Sequence, residues 1–262
     1  MYHDIDYRVQ GTVAYILHAR PEMRNAESKR LLDEMDAALD QAVADPAVRA
    51  IVIGGQGDHF SAGHDLKEAQ RDRQGFTVEE RWAYEQKRYF NYALKIWDCP
   101  KPTIARVQGA CIAGGFMVAN LCDLVIASDD AFFADPVVRT MSCAAVEVLI
   151  HPWVMGLRRA KEFLYTGERM TAAEAREIGM VNRVVPRAEL DAATQELAEK
   201  ISATPPFALS LIKRSLNRCF DAQGFRTALS AHFDIHQLSH VSDEYARMRE
   251  AGLAAAINRG KE

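Results

Sequence analysis

The chain has 262 residues, 48% hydrophobic and 26% charged, with 32 basic against 36 acidic side chains and a net charge of −4. That is ordinary for one large globular domain able to bury a core without disulfides or metals, and no basic stripe or arm supports nucleic-acid binding. No run of about 18 or more apolar residues could span a membrane, and the opening MYHDIDYRVQ lacks the basic-then-apolar pattern of a signal peptide.

Tyr7–Val9 and Thr12–Leu17 are rich in β-branched and aromatic residues and are expected to form paired strands. Pro21 and Asn25 mark a turn. Glu27–Ala44 carries Leu31, Leu32, Met35, Ala38, Leu39 and Ala42 at 3- and 4-residue spacing, which predicts an amphipathic helix ending near Asp45-Pro46. Ala50–Ile53 reads as a strand broken by Gly54, Gly55 and Gly57. Glu79–Trp97 reads as a helix stopped by Pro100 and Pro102, and Thr103–Val107 as a strand. Gly109 turns the chain toward a helix that starts at Gly114-Gly115, and Leu124–Ala127 is a further strand. Helices follow at Arg158–Tyr165, Ala172–Ile178 and Leu190–Ala203, with a strand at Val181–Val185, and beyond Pro205-Pro206 everything reads as helix. Strand, loop and helix in succession predict an α/β core of right-handed units, with a boundary near residue 200.

Cys99, Cys111, Cys122, Cys143 and Cys219 are odd in number and form no CxxC pair, which fits reduced, buried thiols and a cytoplasmic setting. Two glycine-containing segments carry the chemical interest: Phe60-Ser-Ala-Gly-His-Asp-Leu66 and Gly109-Ala-Cys-Ile-Ala-Gly-Gly115. Each sits where a strand gives way to a helix, and backbone N–H groups at a helix start are unpaired. One N–H from each, converging on one oxygen, would make an oxyanion hole. Plain turn chemistry explains such glycines equally well.

Arg20-Pro-Glu-Met-Arg-Asn-Ala26, Phe60–Leu66, Gly109–Asp123, Leu164-Tyr-Thr-Gly167, Ala172–Ala175 and Gly179-Met-Val-Asn-Arg-Val-Val185 follow one another in the order of the conserved segments of a known family. On these residues the chain resembles the enoyl-CoA hydratase/isomerase (crotonase) superfamily from about residue 10 to 190. The resemblance implies an α/β fold, a crotonase-like spiral of repeated ββα units with a C-terminal α-helical region. Residues 1–200 would form the acyl-CoA-binding spiral core and residues 201–262 a helical oligomerisation region. It further implies an acyl-CoA substrate with no separate cofactor and a homotrimer or homohexamer. The backbone N–H groups of His64 and Gly114 would be the oxyanion donors. Ala26 and the backbone from Ala62 through Gly63 and Asp65 to Leu66 would hold the coenzyme A end. Arg24 and Lys101 would contact phosphate, the alternative for each being a solvated surface charge.

The sequence departs from the family where a hydratase places its two water-activating glutamates. Those positions are Met117 and Val137, and neither side chain exchanges a proton. Glu147, in the apolar run Ala144–Ile150, is the leading replacement base; an isolated buried carboxylate there would have a raised pKa. Its alternative is a solvent-facing or interface Glu. Asp135 is the second candidate, although Asp before Pro is commonly a turn residue. His64 could contribute its imidazole or simply narrow the pocket. Cys143 is a weaker nucleophile candidate.

His232, His236 and His240 recur every four residues, but no nearby carboxylate or cysteine completes a metal site, so a polar helix face or subunit contact is expected and no metal. Arg81, Trp82 and Tyr84 suggest a lid or pocket wall. Gly54-Gly-Gln-Gly57 lacks the Lys-Ser/Thr of a P-loop, and neither GxGxxG nor HExxH occurs. The expectation is therefore an enzyme that stabilises a thioester enolate, isomerase-like or otherwise not a hydratase; the alternative is a non-catalytic acyl-CoA-binding protein.

Overall fold

The structure is a computed structural model describing residues 2–140 and 146–248; Cys143 lies outside the described residues. β1 (Ile5–Gln10) and β2 (Val13–His18) pair antiparallel across a tight turn, with Tyr7 opposite Ile16. A 3-10 turn at Pro21–Met23 leads to α1 (Lys29–Ala44), whose apolar stripe Leu31, Leu32, Met35, Ala38, Leu39 and Ala42 is buried as its spacing predicts. Each Leu or Met in such a stripe contributes about 1.5–3 kcal/mol on burial.

The helix starts two residues later than expected. The Ser28 hydroxyl accepts from the Leu31 N–H, making Ser28 the N-cap and leaving Glu27 extended.

β3 (Ala50–Gly55) runs parallel to β2 and passes through Gly54 and Gly55 rather than breaking there. A Cβ on Gly55 would stand 2.4 Å from the His59 carbonyl oxygen, so glycine admits the returning loop against the strand. Next come α2 (Leu66–Arg73), α3 (Val78–Glu85), a π-helical turn (Gln86–Asn91) and α4 (Tyr92–Asp98). The expected single helix is thus continuous in direction but loosened by one π turn, which presents Tyr89 and Phe90 inward.

β4 (Thr103–Val107), β5 (Ala110–Ile112) and α5 (Gly114–Leu121) follow, then β6 (Leu124–Ser128), β7 (Phe132–Ala134) and α6 (Val137–Thr140). α7 (His151–Met155), α8 (Leu157–Thr166), β8 (Met170–Thr171), α9 (Ala172–Glu177), β9 (Arg183–Val185) and α10 (Leu190–Ser202) complete the layered part. α11 (Pro206–Ala222) and α12 (Phe225–Ser239) follow as helices.

The strands form two sheets. The larger has the order β1-β2-β3-β4-β6-β9, parallel except for the first pair, and the smaller β5-β7-β8. A strand in the large sheet, a short strand in the small one and a helix recur as β4–β5–α5 and β6–β7–α6. The stretch after β3 has the same rhythm, with Ser61 bridging Cys111 before α2 begins. The ββα units therefore wind as a spiral.

Both faces of the large sheet are covered. Ala14, Ile16, Ile51 and Ile53 point into the main core, while Val13, Tyr15, Ala50 and Val52 point the other way, into a second cluster with Leu190 and Ala198 of α10. Double coverage explains why these strands read as continuous apolar runs. Cys99, Cys111 and Cys122 are buried free thiols as expected, but Cys219 is exposed on α11. No helix among the described residues is long and apolar enough to cross a membrane.

Candidate active site

The two glycine-containing segments meet beyond the carboxyl ends of β3 and β4. Ser61 pairs with Cys111 in parallel: the Ser61 N–H donates to Ala110 O at 3.1 Å and the Ile112 N–H to Ser61 O at 3.0 Å. On its other side the first segment is held by Glu27, whose N–H donates to Gly63 O (2.8 Å) and whose carbonyl accepts from the Asp65 N–H (3.0 Å). This pattern uses the amides flanking His64 and turns the His64 N–H away from Glu27.

Ala113 takes φ +48°, ψ −112°, a conformation costing about 1–3 kcal/mol for a residue with a Cβ. That kink starts α5 at Gly114. Neither the His64 nor the Gly114 N–H has a hydrogen-bond acceptor among the described residues. The segments are in contact: a Cβ on Gly114 would stand 2.6 Å from His64 Cε1 and 2.3 Å from Glu27 Oε2. Glycine at 114 is thus a steric requirement.

The His64 imidazole lies between two carboxylates. Nδ1 is 3.0 Å from Glu27 Oε2 and Nε2 is 3.3 Å from Glu147 Oε1. Neither contact has hydrogen-bond alignment, so both are ion pairs. The ring stacks on Tyr89, 3.8 Å between centroids and 13° from parallel. Exposure is 14% for the His64 side chain, 1% for Glu27 and 8% for Glu147.

Burial is the largest influence on His64 and pushes its pKa down. The charge and contact of Glu147, then those of Glu27, outweigh burial and raise it to about 10. Burial likewise pushes Glu147 up, but the His64 cation overcomes this and leaves the carboxyl below its ordinary value. The raised pKa expected for Glu147 is therefore reversed, because that expectation treated it as isolated. His64 is held as an imidazolium and Glu147 as a carboxylate, with Glu147 Oε2 free of hydrogen-bond partners among the described residues.

Beside this trio is a narrow pocket lined by His64, Gly114, Met117, Val118, Tyr89 and Tyr92, with about 10 Å³ of free space, room for about one water. The His64 imidazole is part of the pocket wall. Met117 and Val137 are both buried apolar side chains.

The remaining candidates are placed as follows. Asp135 is fully buried, with Oδ2 3.0 Å from Nε2 of the equally buried His151, which stacks on Phe116. Burial raises its pKa against the opposing pull of His151. It is hydrogen-bonded to His151 in the interior and does not line the pocket.

Asp65 caps α2 by accepting from the Glu68 N–H and pairs with Arg20 at 3.1 Å, and Leu66 is the first residue of that helix. Gly63 has φ +85° and donates to Ser61 Oγ; Ala62 donates to the Arg24 carbonyl; Ala26 O accepts from Arg20. The Arg24 side chain is exposed.

The Lys101 ammonium donates to the carbonyls of Ala42 (2.8 Å) and Asp45 (2.6 Å) at the end of α1. It precedes the amino end of β4, whereas the site lies beyond the carboxyl ends. In this structure its ammonium serves as a helix cap.

Of the aromatic stretch, Tyr84 packs on Tyr89, Trp82 packs on Phe233, and Arg81 reaches Glu85. Two residues of the site went unnoticed in the sequence. Glu27 was read as the start of a helix, although Ser28 was available as its cap. Tyr89 lay inside an apparently regular helix, and nothing local marked the π turn.

The family model for enoyl-CoA hydratase/isomerase matches residues 8–255. The chain is 40% identical over 257 residues to a putative enoyl-CoA hydratase, EchA13, of Mycobacterium tuberculosis, covering 92% of this chain and 80% of that one. A crystal structure of a probable enoyl-CoA hydratase from Mycobacterium smegmatis superposes with a TM-score of 0.85 at 49% identity, covering 90% and 94% of the two chains. An enoyl-CoA hydratase/isomerase from Xanthobacter autotrophicus Py2 does so at 0.90 and 38%, covering 98% and 97%. More distant relatives carry other activities in their names. One is a hydroxycinnamoyl-CoA hydratase-lyase of Pseudomonas fluorescens (32% identity, 82% and 78% covered). Another is a 4-chlorobenzoyl coenzyme A dehalogenase of an Arthrobacter species (34%, 82% and 78%). With its ββα spiral and paired glycine turns, this chain belongs to the enoyl-CoA hydratase/isomerase family.

Proposed function

We propose that the protein binds an acyl-CoA thioester with its carbonyl oxygen on the His64 and Gly114 amides, and that Glu147 moves a proton at the adjacent carbon. The reaction is isomerase-like or another enolate chemistry, not standard hydration. The observation carrying this reading is the ion pair at His64. The residue offering one free amide also holds, through its side chain, an ionised carboxylate with one unpartnered oxygen.

An enolate oxygen would gain from two amides, the α5 amino terminus and a nearby imidazolium; one oxyanion donor in other enzymes is worth roughly 3 kcal/mol. Glu147 is charged at neutral pH and can accept a proton. Hydration would also need a group to position water, and Met117 and Val137 offer none. Relatives named as a hydratase-lyase and a dehalogenase agree with a fold that serves several thioester reactions.

The protein acts as a trimer or a pair of trimers in this reading, with residues 201–262 in assembly. Phe207, Leu211, Ile212 and Leu216 of α11 are exposed apolar side chains that assembly would cover.

Acyl-CoA panels in heavy water, followed by NMR for exchange at Cα, test the proposal. Exchange in the wild type and its loss in Glu147→Gln is the expected result. Exchange that survives Glu147→Gln removes that residue as base. Tight binding without exchange or turnover on any acyl group assigns the protein instead to acyl-CoA binding alone, the reading that the two missing glutamates favour.

A further inference from the structure

α12 brings His236 and His240, four residues apart, onto one face. The carboxylate missing from their sequence neighbourhood arrives from the end of α3. Glu85 Oε2 lies 2.9 Å from His236 Nε2 and 3.5 Å from His240 Nε2, and the two imidazole nitrogens are 3.3 Å apart. All three side chains are buried, at 4%, 1% and 7% exposure.

These separations bring three ligand atoms as close together as one metal ion would require. Zinc bonds of 2.0–2.1 Å in a tetrahedron set neighbouring ligand atoms about 3.3–3.4 Å apart. Without an ion, two Nε2 atoms 3.3 Å apart converge on one carboxylate oxygen that also accepts from the Gln237 amide.

The surroundings have the partners a metal site needs. Arg81 approaches the other carboxylate oxygen, Oε1, at 3.5 Å. The Gln237 amide donates to Glu85 Oε2 at 2.7 Å, and its own oxygen is buried without a hydrogen-bond partner. A half-turn of that amide would bring its oxygen to the nitrogen's place beside Glu85. His240 Nδ1 is likewise buried and unpartnered, although ligating histidines ordinarily donate that proton to an acceptor or a water.

We propose that Glu85, His236 and His240 form a binding site for a divalent cation of the zinc class. The ion would tie α3 to α12. Glu85 is followed directly by the π turn that carries Tyr89, so this tie would steady the ring against which His64 stacks. The role is structural, and it stands whether or not the thioester reading is correct.

The test uses the full chain stripped with chelator and titrated with Zn2+ by calorimetry, then with Co2+ by visible absorption. One equivalent of Zn2+ per chain is expected to bind and raise Tm. Cobalt should give the intense bands of a tetrahedral site without the thiolate charge-transfer band that exposed Cys219 would produce. Glu85→Gln and His240→Asn should each weaken the metal about tenfold or more. His240→Asn, the milder change, should keep the wild-type circular dichroism and metal-free Tm. No saturable binding by the folded wild type, or equal binding by folded His240→Asn, overturns the proposal.

Discussion

Glu147 and His64 form an ion pair, Oε1 to Nε2 at 3.3 Å, in which each reverses what burial alone would do to the other. Burial favours a neutral imidazole and a neutral carboxyl, and proximity favours both charges. With Glu27 on the opposite ring nitrogen, the charges win.

The pair ties stability to pH. The folded pKa of His64, about 10, lies above the ordinary value near 6.5, so its stabilisation is complete below about 6.5 and disappears as pH rises through 10. Glu147, with a lowered pKa, is already ionised in that window and contributes no change there; its share is lost only as pH falls below the ordinary carboxyl range. The buried thiols Cys99, Cys111 and Cys122 have raised pKa values and add a loss of the same sign above about 8.5. The difference between wild type and His64→Gln is therefore the readout. Denaturant unfolding from pH 6 to 10 should show the wild type losing stability faster, by on the order of 1 kcal/mol per pH unit. Equal slopes would mean that His64 is not held as a cation.

Gly114→Ala should remove acyl-CoA binding. The added methyl would meet Glu27 Oε2 at 2.3 Å and His64 Cε1 at 2.6 Å, displacing the side chains that frame both amides. Overpacking of this kind costs about 1–3 kcal/mol, so Tm should also fall while the fold persists. Calorimetry with an acyl-CoA bound by the wild type checks it; unchanged affinity would separate Gly114 from the site.

Lys101→Met tests the capping role of that residue against the phosphate contact. Losing the cation that caps α1 should lower stability by about 1 kcal/mol and leave coenzyme A affinity unchanged. A large drop in affinity at preserved stability would restore the phosphate contact.

Leu216→Glu should dissociate the assembly. Leu216 is 63% exposed and Phe207 74%, both on α11, and a charge in a buried apolar interface is strongly unfavourable. Light scattering on the eluting protein should register the mass of one chain in place of several; an unchanged mass would put the interface elsewhere.

The short-range pattern was legible because neighbouring residues encode it. β-Branched and aromatic content marked β1 and β2, the 3- and 4-residue spacing made α1, and proline ended α4. The order of the glycine segments marked the family and pointed to His64 and Gly114. Even so, local cues failed at Glu27, where a cap residue one place later decided the boundary, and at Tyr89, where a π turn left no trace in the spacing.

By itself, then, the sequence determined where the longer strands and helices lie, which two glycine segments to suspect, and that Met117 and Val137 stand where the family's hydratases have glutamates. Only the tertiary structure decided the charge partners. Glu27 and Glu147 reach His64 from two distant segments, and Glu85 meets His236 across 151 residues of chain. Periodicity and capping act over a few residues, whereas the field at a buried ionisable group comes from whatever the fold carries to within a few ångströms of it. The carboxylate of Glu147 is charged for that reason alone.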